Sequence, residues 1–72
     1  MNFLPAGETM IQSEDGQYQI SRTPKPVSGQ YTYRAWFRPT TTILATITVY
    51  DEPAERSAAQ AECKRACGVH SY

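Results

Sequence analysis

The residues with the clearest metal-binding chemistry lie near the C-terminus, where Cys63, Cys67 and His70 follow a C-x3-C-x2-H spacing. Such a group could offer soft ligands to zinc. A structural zinc site usually takes about four ligands, and the chain has no further cysteine or histidine to complete the set. We therefore expect no metal and no cofactor, and interpret the cysteines as packed helix thiols and His70 as a solvent-exposed side chain.

Residue types that would support catalysis are equally sparse. His70 is the only histidine, and no nearby sequence cue pairs it with a serine or with an acid that would orient it. The glycines are scattered along the chain and form no phosphate-binding loop. These observations predict that the protein is not an enzyme.

A group of basic and aromatic residues is more informative. Arg34, Trp36 and Arg38 share one face of an alternating segment, and tryptophan and arginine are enriched at binding hot spots. We expect Trp36 to anchor a partner-binding surface, with outlying basic residues steering the approach of the partner. The predicted partner-binding residues are Arg22, Lys25, Arg34, Trp36, Arg38 and Tyr50. In the alternative interpretation, Trp36 is buried beneath an N-terminal segment that folds Phe3, Leu4 and Met10 over it.

Alternating polar and apolar residues indicate the strands that must position this group. The predicted strands are Gln17 to Thr23, Tyr31 to Arg38 and Thr42 to Tyr50, preceded by an N-terminal segment, residues 1–16, with a short strand at Thr9 to Gln12. Pro24 to Gly29 is predicted to be a mobile loop. In the last strand, strict alternation places Ile43, Ala45, Ile47 and Val49 on the inward face, and Leu44 with Tyr50 on the outward face.

An alanine-rich helix is predicted over residues 52–67. Asp51 would supply a capping carboxylate, Pro53 suits the first helical turn, and Gly68 would end the helix as a C′ glycine. Two stripes of small residues compete for the buried side: Ala59, Cys63, Ala66 and Cys67 form the preferred one, and Ala54, Ala58 and Ala61 the other. We expect free thiols, with Cys63 buried and Cys67 partly accessible.

Together these elements predict an α+β fold: a three- or four-stranded antiparallel sheet followed by one C-terminal helix packed on one face. With 72 residues, the chain has room for one domain, residues 1–72. Its seven basic and seven acidic residues balance, which argues against a nucleic acid mimic and against a general polyanion binder. No segment has the pattern of a membrane span or of a signal peptide, so we expect a cytoplasmic protein.

Several short motifs carry a resemblance. Gly16, Tyr18 and Ile20 form G-x-Y-x-I, and they are followed by Y-x-A-x-F, I-L-A-T and A-x-x-x-C over residues 16–67. This string resembles small phage and prophage proteins with an antiparallel sheet followed by a helix, among them anti-CRISPR proteins. The resemblance implies an inhibitor that binds a host protein or ribonucleoprotein complex. A fainter similarity to double-stranded RNA-binding domains lacks their first helix and their lysine-rich helix end.

Three function hypotheses follow. The first is a non-enzymatic interaction protein, phage- or prophage-encoded, that blocks a host complex through a sheet face. The second is a single-stranded nucleic acid binder that stacks bases on Trp36 and Tyr50 and holds phosphates with Arg34 and Arg38. The third is a self-associating structural protein that hides an uncovered face or an unpaired strand edge in a homodimer.

Overall fold

The computed structural model describes residues 1–72 and consists of a five-stranded antiparallel sheet followed by one helix. The strands are β1 (Phe3–Pro5), β2 (Met10–Ser13), β3 (Tyr18–Arg22), β4 (Gln30–Phe37) and β5 (Thr42–Tyr50). A short 3-10 turn, Arg38–Thr40, joins β4 to β5, and the helix α1 spans Pro53–His70. The α+β class and the order of strands followed by one helix are as predicted.

The sheet is a meander in which each strand pairs with its neighbours in sequence, in the order β1-β2-β3-β4-β5. The predicted number of strands, three or four, was too low because residues 1–16 form a hairpin of two strands. β1 has only 3 residues, too few for an alternating pattern, and it includes Pro5. Proline is tolerated there because β1 is an edge strand.

The predicted loop at residues 24–29 is partly structured as the end of the β3–β4 hairpin. Val27 and Gln30 exchange backbone hydrogen bonds of 2.8 and 3.1 Å around Ser28 and Gly29. Both central residues have positive φ, 54° at Ser28 and 75° at Gly29, as the tight turns that match strand twist require. Lys25 lies in the exposed stretch that leads into this turn.

A β-bulge interrupts the pairing of β4 with β5. Ala35 pairs with Ala45 but the next residue, Trp36, pairs with Ile43, so Leu44 is the extra residue. The bulge shifts the side-chain alternation by one residue. As a result Leu44 packs against the core and Ile43 is 49 % exposed, which reverses the orientations predicted for these two residues.

The core lies between α1 and one face of β3, β4 and β5. The sheet contributes tyrosines and small residues, and the helix contributes its stripe of Ala59, Cys63 and Cys67. The buried apolar residues are Tyr18, Ile20, Tyr31, Tyr33, Ala35, Ala59, Cys63 and Cys67. Small helix residues allow α1 to approach the sheet closely, and the tyrosine rings fill the remaining space. Three residues of the preferred stripe are therefore buried as predicted, and the fourth, Ala66, is half-buried.

Both cysteines are buried, with exposures of 0 %. The prediction that Cys67 is partly accessible was wrong, because the helix does not end beside it. α1 continues past Gly68 to His70, and the C-cap is Ser71, whose backbone N–H donates to Cys67. Gly68 therefore lies inside the helix and is not its C′ residue.

The start of α1 also differs in detail from the prediction. Pro53 occupies the first turn, as expected. The N-cap residue is Glu52, and no side chain caps the helix. Asp51 instead lies 3.5 Å from the Arg56 guanidinium, so its carboxylate forms an ion pair in place of the predicted cap. α1 does not combine the length and the apolar character that crossing a membrane requires.

Candidate functional site

The face of the sheet opposite α1 carries no covering element, and we call it the open face. Residues that pair across antiparallel strands share a face, so the register identifies its side chains. One row across the sheet is Leu4, Gln12, Gln19, Trp36 and Ile43. The next row is Met10, Ser21, Arg34 and Thr46. Thr32 and Thr48 form a further pair, with hydroxyl oxygens 3.1 Å apart.

Trp36 is half-buried at the middle of this face. Its indole N–H donates to Ser21 Oγ at 3.0 Å, which fixes the ring against β3. A cleft of about 360 Å³ lies beside the ring and is lined by Gln19, Trp36, Arg38 and Thr41. The N-terminal cover of the alternative interpretation is absent: Phe3 packs on the helix side of the sheet, and Leu4 and Met10 lie on the open face beyond β3.

Arg34 and Arg38 flank Trp36 along the chain. Arg34 is exposed, and its side chain makes no hydrogen bond or ion pair. It lies about 7 Å from Trp36 along β4, the length of two strand residues. Arg38 begins the 3-10 turn, and its guanidinium donates to the Gly16 carbonyl at 3.1 Å, across the end of β3. These three predicted residues are therefore brought together.

The other three predicted residues lie elsewhere. Tyr50 pairs with Gln30, six residues along β4 from Trp36, which corresponds to about 20 Å. Arg22 points to the helix side of the sheet, where its guanidinium lies 5.4 Å from the Tyr31 ring. Lys25 is exposed in the β3–β4 connection. Tyr50 therefore does not join Arg34 and Arg38 around Trp36, and Arg22 and Lys25, predicted to steer the approach of a partner, lie away from Trp36.

Exposed apolar residues on the open face were missed from the sequence. Ile43 is 49 % exposed, Leu4 54 % and Met10 36 %, and Ile43 lies directly opposite Trp36. No glycine or proline within β5 marks the bulge that turns Ile43 outward. The only local signal is Pro39-Thr40-Thr41, which interrupts the alternating strand pattern shortly before the bulge.

Charge is distributed unevenly around the open face. None of the seven acidic residues lies in a strand. They occupy the connections at Glu8, Glu14, Asp15, Asp51 and Glu52, and the helix at Glu55 and Glu62. The open face therefore presents Arg34 without a neighbouring carboxylate on any strand.

A second polar cluster holds the beginning of the helix to the sheet. The Arg56 Nε donates to the Tyr33 hydroxyl at 3.1 Å, and the guanidinium carbon lies 4.2 Å from the centre of the Tyr31 ring. The hydrogen bond with Tyr33 raises the pKa of Arg56. A groove of about 430 Å³ beside it is lined by Tyr33, Pro53, Arg56, Ser57, Gln60, Ala61 and Lys64. Because Arg56 is already engaged by Tyr33 and Asp51, we interpret this cluster as structural.

A third cluster holds the end of the helix. The Tyr18 hydroxyl and His70 Nδ1 lie 2.8 Å apart, and the His70 ring centre is 4.6 Å from that of Phe37. His70 is exposed, as predicted, but it is anchored to the sheet.

The two thiols of the helix are not activated. Burial raises the pKa of the Cys63 thiol to about 11, with smaller contributions from Cys67 and Glu62, and burial also raises the pKa of Cys67. Neither thiol is poised to be a nucleophile. No group of three or more His, Cys, Asp and Glu side chains could hold a metal ion.

Comparisons with known proteins add no relative. No protein-family model matches the chain. No curated protein and no solved structure matches it either.

Proposed function

We propose that the protein is a non-enzymatic interaction protein that binds a macromolecular partner through the open face, with Trp36 and Ile43 as its apolar centre. The observation that carries this proposal is the pairing of these two residues across β4 and β5 on a face that no other element covers. A half-buried tryptophan held by its own hydrogen bond is already ordered, so it loses little side-chain entropy when a partner packs on it. The cleft beside it could accept a partner side chain.

Electrostatics favour a partner with an acidic surface. Arg34 has no ion pair, and none of the strands carries an acid. A partner carboxylate or phosphate near Arg34 would meet no competing carboxylate from these strands. The acids in the connections lie beyond the ends of the strands, where they would repel an acidic partner that docks out of register.

Two pairs of matched variants test the surface. Ile43→Ser and Arg34→Glu should abolish capture of the partner from a bacterial lysate and weaken binding to the partner once it is purified. Val69→Ser removes an exposed aliphatic side chain from the helix, and Lys25→Glu makes the same charge change away from the open face. These two controls should bind like the wild type. Equal binding by all four variants would remove the open face as the interface.

We further propose that the protein is a phage- or prophage-encoded inhibitor that uses this surface. This role is supported by the motif resemblance of residues 16–67. In bacteria with active CRISPR interference, the wild type should restore plaque formation by a targeted phage, and Ile43→Ser should not. If the wild type leaves plaque numbers unchanged, the anti-CRISPR role is refuted, while binding through the open face is still tested by the capture experiment.

A single-stranded nucleic acid binder is the second candidate, favoured by the acid-free face around Trp36, Arg34 and Arg38. Two observations weigh against it. Trp36 and Tyr50 are about 20 Å apart, too far to stack adjacent bases, and the indole N–H is already bonded to Ser21. Titration of Trp36 fluorescence with oligonucleotides separates the candidates. Salt-sensitive quenching would favour nucleic acid, and unchanged fluorescence at low salt would exclude it.

A further inference from the structure

The two edges of the sheet are very different. β1 is an edge of 3 residues that includes Pro5, so it offers little to pair with. β5 is the other edge and has 9 residues, Thr42–Tyr50, without a proline or a charged residue. Proteins that remain monomeric usually protect such an edge with charge, proline or a covering segment. β5 carries neither a charged residue nor a proline, and α1 packs on the face of this strand.

The backbone hydrogen bonds identify which groups of β5 point outward. In an antiparallel sheet, alternate residues bond to the strand on one side, and the intervening ones point to the other side. The Asp51 N–H donates to the Gly29 carbonyl at 3.0 Å, so the odd-numbered residues of the regular part of β5 bond to β4. The even-numbered residues Thr46, Thr48 and Tyr50 therefore direct their N–H and C=O groups to the free edge.

The chain satisfies the last of these three residues itself. The Tyr50 N–H donates to the Glu55 carboxylate at 3.4 Å, and the Tyr50 carbonyl accepts from the Glu52 N–H at 2.8 Å. This closes one end of the edge. The N–H and C=O groups of Thr46 and Thr48 are left without a partner in the chain, and both residues are exposed.

We propose that two copies of this chain associate through β5, pairing antiparallel about a two-fold axis that passes beside Ile47. In this register Thr46 of each copy lies opposite Thr48 of the other. Each such pair exchanges both of its hydrogen bonds, so every free backbone group of Thr46 and Thr48 is satisfied in both copies. Ile47 then meets its own equivalent on the helix side, and Ala45 lies opposite Val49.

In this register the free groups of Thr46 and Thr48 are complementary to those of a second copy, which makes a second copy the occupant, and charge favours the antiparallel orientation. The Tyr50 end of β5 is followed by Asp51, Glu52 and Glu55, and the connection before Thr42 carries no acidic residue. Antiparallel pairing keeps the acidic ends of the two copies apart, whereas parallel pairing would bring their carboxylates together. The result is a ten-stranded sheet with both helices on one side and both open faces on the other, so the proposal is independent of the function assigned to the open face.

A concentration series in sedimentation equilibrium tests the association. The wild type should shift from monomer to dimer, and Thr48→Pro should remain monomeric, because proline removes an N–H that no other group of the chain uses. Thr48→Val is the matched control: it also loses the hydroxyl that lies 3.1 Å from Thr32 but keeps the N–H, so it should dimerise like the wild type. A wild type that is monomeric throughout, or a folded Thr48→Pro that dimerises equally well, overturns the proposal.

Amide hydrogen exchange of the wild type gives a second test that needs no variant. The amides of Thr46 and Thr48 should exchange about tenfold more slowly at concentrations where the dimer dominates than at low concentration. The Tyr50 amide, which is bonded within the chain, should change little. If the dimer forms while Thr46 and Thr48 exchange at the same rate at both concentrations, the copies do not associate through β5.

Discussion

At the scale of single residues, the two cysteines are core residues and not reactive groups. Cys63 and Cys67 are fully buried in the stripe that faces the tyrosines of the sheet, and their thiols have raised pKa values. A buried thiol behaves as a small apolar side chain. The C-x3-C-x2-H spacing therefore reflects helix packing: two of its members are in the core, and His70 anchors the helix end to Tyr18.

Serine substitution should show that both thiols are structural. Cys63→Ser and Cys67→Ser should each lower the free energy of unfolding by about 1–3 kcal/mol, because each buries a hydroxyl in an apolar site. Ala58→Ser, on the exposed side of α1, should change it by less than about 0.5 kcal/mol. Denaturant melts measure these values. A stability loss at Cys63 but not at Cys67 would contradict the equal burial of the two side chains.

The raised thiol pKa also predicts a dependence of stability on alkaline pH. The folded state raises the pKa of Cys63 from 9.0 to about 11, so the folded thiol keeps a proton that the unfolded chain releases. This contribution to stability is fully present below pH 9.0 and is lost as the pH rises through about 11. Denaturant melts of Cys63→Ala should therefore show a shallower loss of stability over this range than the wild type. Parallel profiles would contradict the prediction, since Tyr18, whose pKa is also raised by burial, titrates in both proteins.

At the scale of secondary structure elements, the bulge in β5 determines what the open face presents. The alternating pattern of Thr42–Tyr50 predicts a strict period of two residues, with Ile43 inward and Leu44 outward. One extra residue opposite β4 exchanges them, and it places an isoleucine beside Trp36. The pattern could not reveal this, because isoleucine and leucine suit either face and the choice depends on pairing with another strand.

Because α1 lies close to the sheet, we expect larger side chains to be tolerated on the exposed side of the helix but not on its buried side. Ala59 is 2 % exposed, and a larger side chain there would push the helix away from the sheet. Ala59→Leu should lower the free energy of unfolding by about 1–3 kcal/mol. Ala58→Leu is the matched control on the exposed side, and it should change stability by less than about 0.5 kcal/mol. Thermal or denaturant melts decide, and equal effects of the two changes would argue against this packing.

At the scale of the whole molecule, the sequence predicts the fold class better than the site. The three longest strands and the start of the helix lie close to their predicted positions, since alternation and a proline in the first helical turn are local signals. The β1–β2 hairpin was underestimated because its strands are stabilised by neighbours and not by their own pattern. Half of the predicted site, Arg34, Trp36 and Arg38, is contiguous because β4 and the turn that follows it carry these residues. Arg22 lies on the other face of the sheet, Lys25 lies in the β3–β4 connection, and Tyr50 lies about 20 Å away along the sheet.

Helix coverage predicts a gradient of local stability across the sheet. α1 packs on β3, β4 and β5, whereas β1 and β2 lie beyond it and contribute only Phe3 and Ile11 to the edge of the core. Native-state hydrogen exchange should therefore be slowest for amides that bond β4 to β5, such as those of Tyr33 and Ala35, and faster for the bonded amides of Leu4 and Gln12. Equal protection in both regions would show that the N-terminal hairpin opens only with the rest of the fold.

The meander topology also governs how the chain reaches this structure. Every strand pairs with the one made immediately before it, so the sheet can assemble through short loop closures as the chain is synthesised. The helix is the only element that must return across several strands, and it joins His70 to Tyr18, 52 residues away. Until α1 has been made, the nascent sheet presents its tyrosine face to water. A chaperone that protects this chain during synthesis would therefore bind the face that is buried in the finished protein.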